Sequence, residues 1–197
     1  MDLVSLIFPT SAFAFTSSAT PGPNNLWLTA SSMNFGWRRT LPFLFGIRFG
    51  LIGLLVGLCL GLGVVIETFP EVKTGLTVMG TLYLIYLGLR LWKMPAGGQG
   101  KEAEPPGFWT AFAFQYVNPK CWLTGIASVS AHTLPGADYF ASSLQLILIW
   151  VVIGTFGNII WLFAGEALRG WLAHPTIGIK INKGLAILTW LTIGLLW

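Results

Sequence analysis

Long apolar stretches follow one another along this chain, and most charged residues lie between them. Five stretches of roughly 19 or more residues are almost free of charge, and a sixth is flanked by lysines. A helix of about 20 apolar residues crosses the hydrocarbon core of a membrane. The pattern therefore predicts membrane-spanning helices near residues 9–33, 41–66, 73–92, 108–131, 140–165 and 177–196.

The first apolar run, from Leu3 to Gly36, is too long for one straight span. As an unbroken helix it would measure about 51 Å, whereas the hydrocarbon core is about 30 Å thick. We expect two adjustments. The first residues lie at the interface with Pro9 opening the span, and the helix is interrupted further on.

Two of the predicted spans are broken near their middle by proline and asparagine. The first break is the run Thr20–Asn25, and the second is Asn118–Lys120. Unpaired backbone N–H and C=O groups are costly in lipid, so such breaks persist only where they are buried in protein or face a water-filled cavity. Transporters bind their substrates at breaks of this kind.

The composition is that of an integral membrane protein. Of the 197 residues, 54% are apolar and 9% are charged, against about a quarter charged in soluble domains. The mean hydropathy is +0.73. We therefore predict an all-α integral membrane protein, with the lipid bilayer as its surroundings. No basic residue precedes the first apolar run, which argues against a cleaved secretory signal.

Lysine and arginine are concentrated on one side of the predicted membrane. The loops after spans one, three and five hold Arg38, Arg39, Arg90, Lys93, Lys101, Arg169, Lys180 and Lys183. The opposite side holds only Lys73. The positive-inside rule then places both termini on the non-cytoplasmic side of the inner membrane. Because the cations are scattered among loops, they do not predict a nucleic-acid partner.

Residues 94–107, rich in glycine, proline and mixed charge, are predicted to be a cytoplasmic linker between two halves, 1–93 and 108–197. Three spans in each half would make the halves face opposite ways, and the broken span comes first in each. The sequence thus predicts two inverted three-helix repeats, with broken first and fourth helices, as in many transporters.

The first break is suited to a carboxylate. Its prolines interrupt a regular helix, and Pro23 is well placed to begin a second half-helix, because proline is favoured at the first helical position. The free N–H groups of that half-helix would attract a carboxylate. Asn24 and Asn25 offer donors and acceptors to a zwitterion. The alternative is a proline kink used only for packing.

Lys120 lies near the middle of its span, and an ionisable group at that depth is by default a functional candidate. It could bind a substrate carboxylate. It is also the only deep titratable group that could carry a coupling proton, because no carboxylate lies mid-span. The alternative is a structural lysine that donates to carbonyl groups freed by the break.

Three further features leave alternatives open. Asn158, in the middle of the fifth span, could line the same cavity or form a helix–helix hydrogen bond. Arg48, about two turns inside the second span, could snorkel to the cytoplasmic end as a structural residue. Alternatively, it could alter the substrate preference or the field of the pathway. The ridge of Gly53, Gly57 and Gly61 predicts close helix packing within the monomer or, alternatively, a homodimer contact.

No pattern of a metal, cofactor or catalytic site is present in the sequence. The carboxylates lie in loops, at the terminus or at a span end, which disfavours a metal or ion exporter. His132 and His174 are expected to be ordinary interface residues. Cys59 and Cys121 are expected to be small buried apolar residues, and an intramembrane thiol redox protein is the alternative that they allow.

The longest motifs in the chain are Thr20–Asn25, Asn34–Thr40 with Gly46 and Gly50 after it, and Phe114–Lys120. In these motifs the sequence resembles the LysE/RhtB family of amino-acid exporters, over essentially its whole length. Phe108–Gln115 and Gly154–Asn158 are most similar to the cysteine/O-acetylserine exporter branch. Arg48 matches no family pattern.

The resemblance implies export of a small neutral amino acid or derivative, such as cysteine or O-acetylserine, by proton-coupled antiport and alternating access. Homoserine, threonine or leucine are alternative substrates. A small membrane scaffold is an alternative role, but it would need no polar breaks in the middle of its spans. No enzymatic activity is expected. The residues expected to bind substrate are Pro21, Gly22, Pro23, Asn24, Asn25, Asn118, Pro119, Lys120 and Asn158.

Overall fold

The computed structural model describes residues 2–94, 104–173 and 175–195, and these residues form helices without any strand. The α-helices are α1 Leu3–Ala19, α2 Pro23–Phe35, α3 Trp37–Cys59, α4 Leu62–Thr68, α5 Pro70–Lys93, α6 Phe108–Gln115, α7 Pro119–His132, α8 Tyr139–Leu168 and α9 Pro175–Leu191. Short 3-10 helices cover Gly136–Asp138, Arg169–Ala173 and Thr192–Leu195. Most of the predicted linker, with Lys101, lies outside the described residues, as does His174.

The first predicted span is a bent pair of helices. The axes of α1 and α2 differ by 56° across the break. As expected, α2 begins at Pro23. The expectation for Pro9 was wrong: α1 begins at Leu3 with Asp2 as its N-cap, and Pro9 lies inside the helix. A reciprocal hydrogen-bonded cap between Asp2 and Ser5 starts the helix earlier than the proline does.

The fourth predicted span is also broken. α6 ends at Gln115, and α7 begins at Pro119 after three non-helical residues. Asn118 is the N-cap of α7, and its side chain accepts a hydrogen bond of 3.1 Å from the backbone N–H of Lys120. An Asn cap followed by Pro at the first helical position is a favourable helix start.

Tryptophan side chains satisfy carbonyl groups that the two breaks leave without helical partners. The indole N–H of Trp161 donates to the carbonyl oxygen of Ala19, the last residue of α1, at 2.9 Å. The indole N–H of Trp122 donates to the carbonyl oxygen of Tyr116, just after α6, at 2.8 Å. These bonds supply the pairing that irregular backbone needs away from water.

The predicted second span, 41–66, is divided in the structure. α3 ends at Cys59, and α4 begins at Leu62 after a turn. Gly61 in that turn has φ of +99°, a conformation that residues with a Cβ rarely adopt. The turn therefore ends the helix inside a stretch that hydropathy alone reads as continuous.

Among the described helices, α3, α5 and α8 are long and apolar enough to cross a membrane, and the bent pair α1–α2 makes a fourth if it is one span. α8 exposes a continuous apolar stripe, as a lipid-facing helix does. Its members are Leu144, Leu148, Val152, Phe156, Ile160 and Phe163. α6, α7 and α9 have 8, 14 and 17 residues, so six spans remain a prediction.

The helices of one half pack on helices of the other half. α1 and α2 pack on α8, α3 packs on α6, and α5 packs on α9. Glycines allow the close approach of α3 to α6. A Cβ added at Gly46 would overlap the carbonyl oxygen of Phe108, and one at Gly50 would lie 2.6 Å from the carbonyl oxygen of Phe112.

Two of the three glycines of the predicted ridge, Gly53 and Gly57, pack within the monomer. A Cβ added at Gly53 would lie 2.5 Å from the hydroxyl oxygen of Tyr116, and one at Gly57 would lie 3.1 Å from a methyl carbon of Leu62. Gly61 has nothing within 4 Å and serves the turn instead. The homodimer contact remains a prediction.

Candidate substrate-binding site

The two breaks meet at Lys120. Its Nζ donates to the carbonyl oxygen of Thr20 at 3.0 Å, to the Oγ1 of Thr20 at 2.8 Å and to the carbonyl oxygen of Pro21 at 3.1 Å. These oxygens lie at the C-terminal end of α1, where the helix dipole is negative and favours a cation. The lysine thus joins the break of one half to the break of the other.

Gly22 leaves space for this lysine. A Cβ added at Gly22 would lie 3.0 Å from both the Cδ and the Nζ of Lys120. The φ of Gly22 is 178°, which is extended backbone that any residue adopts. The glycine therefore favours the close approach of the Lys120 side chain, and its own conformation does not demand a glycine.

A reciprocal amide pair forms the second contact between the breaks. The Nδ2 of Asn24 donates to the Oε1 of Gln115 at 2.7 Å, and the Nε2 of Gln115 donates to the Oδ1 of Asn24 at 3.1 Å. The thiol of Cys121 donates to the same Oε1 at 3.0 Å. Cys121 is buried as expected and packs in an apolar cluster with Leu54 and Leu58, but its thiol also meets the polar side chain of Gln115.

Asn25 stabilises the first break from inside. Its Nδ2 donates to the carbonyl oxygens of Ser18 at 2.7 Å and of Thr20 at 2.8 Å. Its Oδ1 accepts a hydrogen bond of 2.8 Å from the Nδ2 of Asn158. Asn158 therefore forms a helix–helix hydrogen bond and reaches the break as well, so both readings of this residue hold.

Arg48 points into the protein and does not snorkel. Only 4% of its surface is exposed. Its Nη1 donates to the Oδ1 of Asn158 at 3.2 Å, and its Nη2 donates to the carbonyl oxygen of Trp150. The snorkelling reading was wrong because Arg48 is on the face of α3 that packs against α8, not on a lipid-facing one.

The site residues surround two neighbouring cavities. The first has a volume of about 40 Å³ and is lined by predicted residues Gly22, Pro23, Asn24, Asn25, Asn118, Lys120 and Asn158, together with Arg48, Cys121 and Trp150. The second has a volume of about 280 Å³ and is lined by Pro21 and Pro119 as well as by Lys120. Each predicted residue thus lines one cavity or the other.

The two volumes differ in what they can hold. One water molecule needs about 10–15 Å³ of such cavity volume, so the polar cavity, of about 40 Å³, has room for a few water molecules and is too small for an amino acid. The second cavity, of about 280 Å³, is close to the lower end of ligand pockets, about 300 Å³. An amino acid would enter the polar cavity only if the contacts between the breaks opened.

Comparison with known proteins places the chain in a family. The family described as LysE type translocator matches residues 15–196. The chain belongs to the LysE family. Relatives named cysteine/O-acetylserine efflux protein, from Escherichia coli strain K12 and Salmonella typhimurium strain LT2, are each 29% identical over 177 residues, which is 89% of this chain and 89% of theirs. No solved structure matches the chain significantly.

Membership of the LysE family confirms the resemblance found in the sequence and makes the protein a membrane transporter, not an enzyme.

The site residues predicted from the sequence left out three polar side chains that lie at this candidate site. Gln115 was noted only as part of a motif, and Cys121 only as a buried thiol. Arg48 was left between two readings. The available signal was the rarity of polar side chains in these spans, because a polar group within a membrane span almost always faces the protein interior.

The charged side chains that line the first cavity of this LysE protein are all positive. Arg48 and Lys120 both line it, and none of its described lining residues is aspartate or glutamate. The Nδ2 of Asn118 and the Nε of Arg48 are buried without a hydrogen-bond partner among the described residues. The site thus offers positive charge and free donors, which suits a ligand with an anionic group.

Proposed function

We propose that this protein exports a small neutral amino acid or derivative of the cysteine/O-acetylserine kind across the bacterial inner membrane by alternating access. The observation that carries the proposal is the meeting of two broken helices at Lys120, beside a polar cavity. Membership of the LysE family and the names of the relatives point to the same class of substrate.

We infer an architecture of six spans in two inverted repeats, 1–93 and 108–197, with both termini outside the cytoplasm. The pairing of helices supports it. Span one (α1–α2) packs on span five (α8), span four (α6) packs on span two (α3), and span three (α5) packs on span six (α9). This reciprocal pairing of spans between the two halves is expected when two copies of one unit are related by a two-fold axis in the membrane plane.

The substrate-binding residues in this proposal are Pro21, Gly22, Pro23, Asn24, Asn25, Asn118, Pro119, Lys120 and Asn158. The carboxylate of the substrate approaches the N-terminal end of α2 and the ammonium group of Lys120, since both carry positive charge. The amides of Asn24 and Asn118 bind its remaining polar groups, and Asn25 and Asn158 hold the break that shapes the site.

Lys120 is also the proposed site of proton coupling. Its three hydrogen bonds to Thr20 and Pro21 hold the breaks together in this conformation. Loss of its proton would weaken those bonds, and a substrate carboxylate would compete for its ammonium group. Either event would release the contact between the halves, which is the step that alternating access requires.

Efflux from preloaded vesicles tests the function. Proteoliposomes loaded with labelled cysteine, O-acetylserine, homoserine, threonine or leucine are diluted into buffer with and without a proton gradient. Selective efflux of the first two, accelerated by protons supplied on the receiving side, is the expected result. Preference for one of the other three would correct the substrate. Absence of efflux for the whole panel would refute the exporter, provided that the protein is shown to be folded and inserted.

A further inference from the structure

A buried arginine with an unsatisfied donor lies in the wall of the polar cavity. Arg48 is 4% exposed, and a guanidinium group stays cationic in proteins. Its hydrogen-bond acceptors are neutral: the side-chain oxygen of Asn158 and the carbonyl oxygen of Trp150. Its Nε has no hydrogen-bond partner among the described residues. A buried charge is costly unless an anion accompanies it.

The fold makes room for this guanidinium group. Gly154 of α8 faces it, and a Cβ added there would lie 2.8 Å from the Nη2 and 3.2 Å from the Nη1 of Arg48. The side chain therefore lies in a groove between α3 and α8 that any larger residue at position 154 would narrow. The packing of α3 against α8 therefore specifies where the guanidinium group lies.

The cavity beside Arg48 is the one that Lys120 also lines. Among the described lining residues no carboxylate neutralises either cation. The anion that every amino acid carries is its carboxylate, and guanidinium binds carboxylate through strong charge-assisted hydrogen bonds. A substrate carboxylate would satisfy the free Nε of Arg48 and offset the buried positive charge.

We propose that Arg48 is a further substrate-binding residue, which contacts the carboxylate of the transported amino acid from α3 while Lys120 contacts it from α7. The proposal rests on the proposed function, because it assigns a ligand group to the same cavity. It predicts that recognition depends on the carboxylate and that the amine left after its removal binds weakly.

Paired ligands test this assignment. Each amino acid is compared with the amine that lacks only its carboxylate: L-cysteine with cysteamine, L-serine with ethanolamine, and L-leucine with isopentylamine. Binding to the purified full chain in detergent is measured by calorimetry, with a phosphine reductant for the thiols. Arg48→Gln is expected to weaken amino-acid binding by about 10- to 100-fold and to leave amine binding within about 2-fold.

Three variants separate binding from structure. Arg48→Lys keeps the charge and should give an intermediate loss. Gly154→Ala should displace the guanidinium group and reduce the preference for amino acid over amine. Lys180→Gln, which removes an exposed cation that lines neither cavity, should change nothing. If Arg48→Gln does not fold, the two milder variants still measure the preference.

Each outcome decides the proposal. A selective loss of amino-acid binding supports the carboxylate contact. Equal weakening of amino acid and amine, or no weakening of either, overturns it and makes Arg48 structural. If the wild type binds no amino acid, the proposed function fails before any variant is compared, and the assignment of Arg48 fails with it.

Discussion

At the scale of single residues, Lys120 is the side chain on which most of the site depends. Its Nζ makes three hydrogen bonds to the opposite break, and no other described residue joins the breaks by a charged group. Loss of a hydrogen-bonded charged group costs roughly 10- to 100-fold in binding. Lys120→Ala is therefore expected to reduce export by at least this factor, measured as efflux from proteoliposomes.

The matched control is Lys93→Ala, which removes an exposed lysine at the end of α5. Both variants should insert in the membrane in equal amount, as judged by membrane fractionation. Wild-type efflux in Lys120→Ala would remove this lysine from the mechanism.

Gly22 offers a finer test of the same contact. In Gly22→Ala the new Cβ would crowd the end of the Lys120 side chain, 3.0 Å from its Nζ. A flexible side chain can move, so folding should be preserved, but hydrogen bonds to the break would be lost. We expect export to fall by about 5-fold, which is about 1 kcal/mol. Thermal stability should remain close to that of the wild type.

Gly107→Ala is the control for that change, because nothing lies within 4 Å of the Cβ added there. It should leave export unchanged and lower stability by less than about 1 kcal/mol, because Gly107 is the N-cap of α6 and alanine caps less well than glycine. A Gly22→Ala variant that exports normally would show that the Lys120 contact tolerates displacement.

The sequence identified the breaks themselves, because proline and mid-span polar residues have few uses inside a membrane. It could not identify the partners of the side chains. Lys120 donates to Thr20 and Pro21, about a hundred residues earlier in the chain. The direction of Arg48 depends on which face of α3 meets α8, which a single sequence does not specify.

At the scale of secondary-structure elements, α3 and α6 are joined by a seam of glycines. Gly46 faces the backbone carbonyl oxygen of Phe108, which cannot move as a side-chain tip can. Overpacking at such a position costs about 1–3 kcal/mol. Each kcal/mol of lost stability lowers the unfolding temperature of a protein of this size by about 2–4 °C. Gly46→Ala is therefore expected to lower the thermal unfolding temperature of the purified protein by several degrees.

Gly75→Ala in α5 is the matched control, since nothing lies within 4 Å of the Cβ added there. It should be neutral or slightly stabilising, because alanine favours a helix. Equal stability of the two variants would mean that α3 and α6 separate without cost.

Element boundaries followed local chemistry more closely than hydropathy. The starts at Pro23 and Pro119 were predictable from proline alone. The end of α3 at Cys59 was not, because the turn at Gly61 lies within an unbroken apolar run. Likewise, the cap formed by Asp2 and Ser5 starts α1 before Pro9.

At the scale of the whole molecule, most Lys and Arg residues are assigned to one side of the membrane. Two of these cations lie over the rings of tryptophans at helix ends: Arg38 over Trp37 at 5.3 Å and Lys183 over Trp92 at 4.9 Å. Such pairs suit the membrane interface, where a ring can sit among headgroups and a cation in water. They occur at residues that the positive-inside rule assigns to the cytoplasm.

We therefore predict that both termini are non-cytoplasmic. Alkaline phosphatase fused after the C-terminus should be active in the periplasm, and green fluorescent protein fused there should be dark. The same reporters placed after Lys93 should give the opposite pattern. A fluorescent C-terminal fusion would reverse the orientation and with it the direction of the proposed pathway.

Accessibility to water distinguishes the transporter from an ordinary helical bundle. Asn24 is half-buried beside the polar cavity, whereas Leu148 on the stripe of α8 is 56% exposed. In water, Leu148→Cys would react faster with a charged thiol reagent. In a membrane the order should reverse, because the stripe faces lipid while the cavity opens to water. Asn24→Cys should also be protected by substrate, in a background without Cys59 and Cys121.

The same labelling on Asn118→Cys tests the second break. Asn118 is 1% exposed, so its thiol should react only when the halves separate, and more slowly than at position 24. Lys120 holds the breaks together through its hydrogen bonds to Thr20 and Pro21. Adding Lys120→Ala should therefore accelerate labelling at position 118. Labelling that is equally slow with and without Lys120 would mean that the lysine does not control the opening of the site.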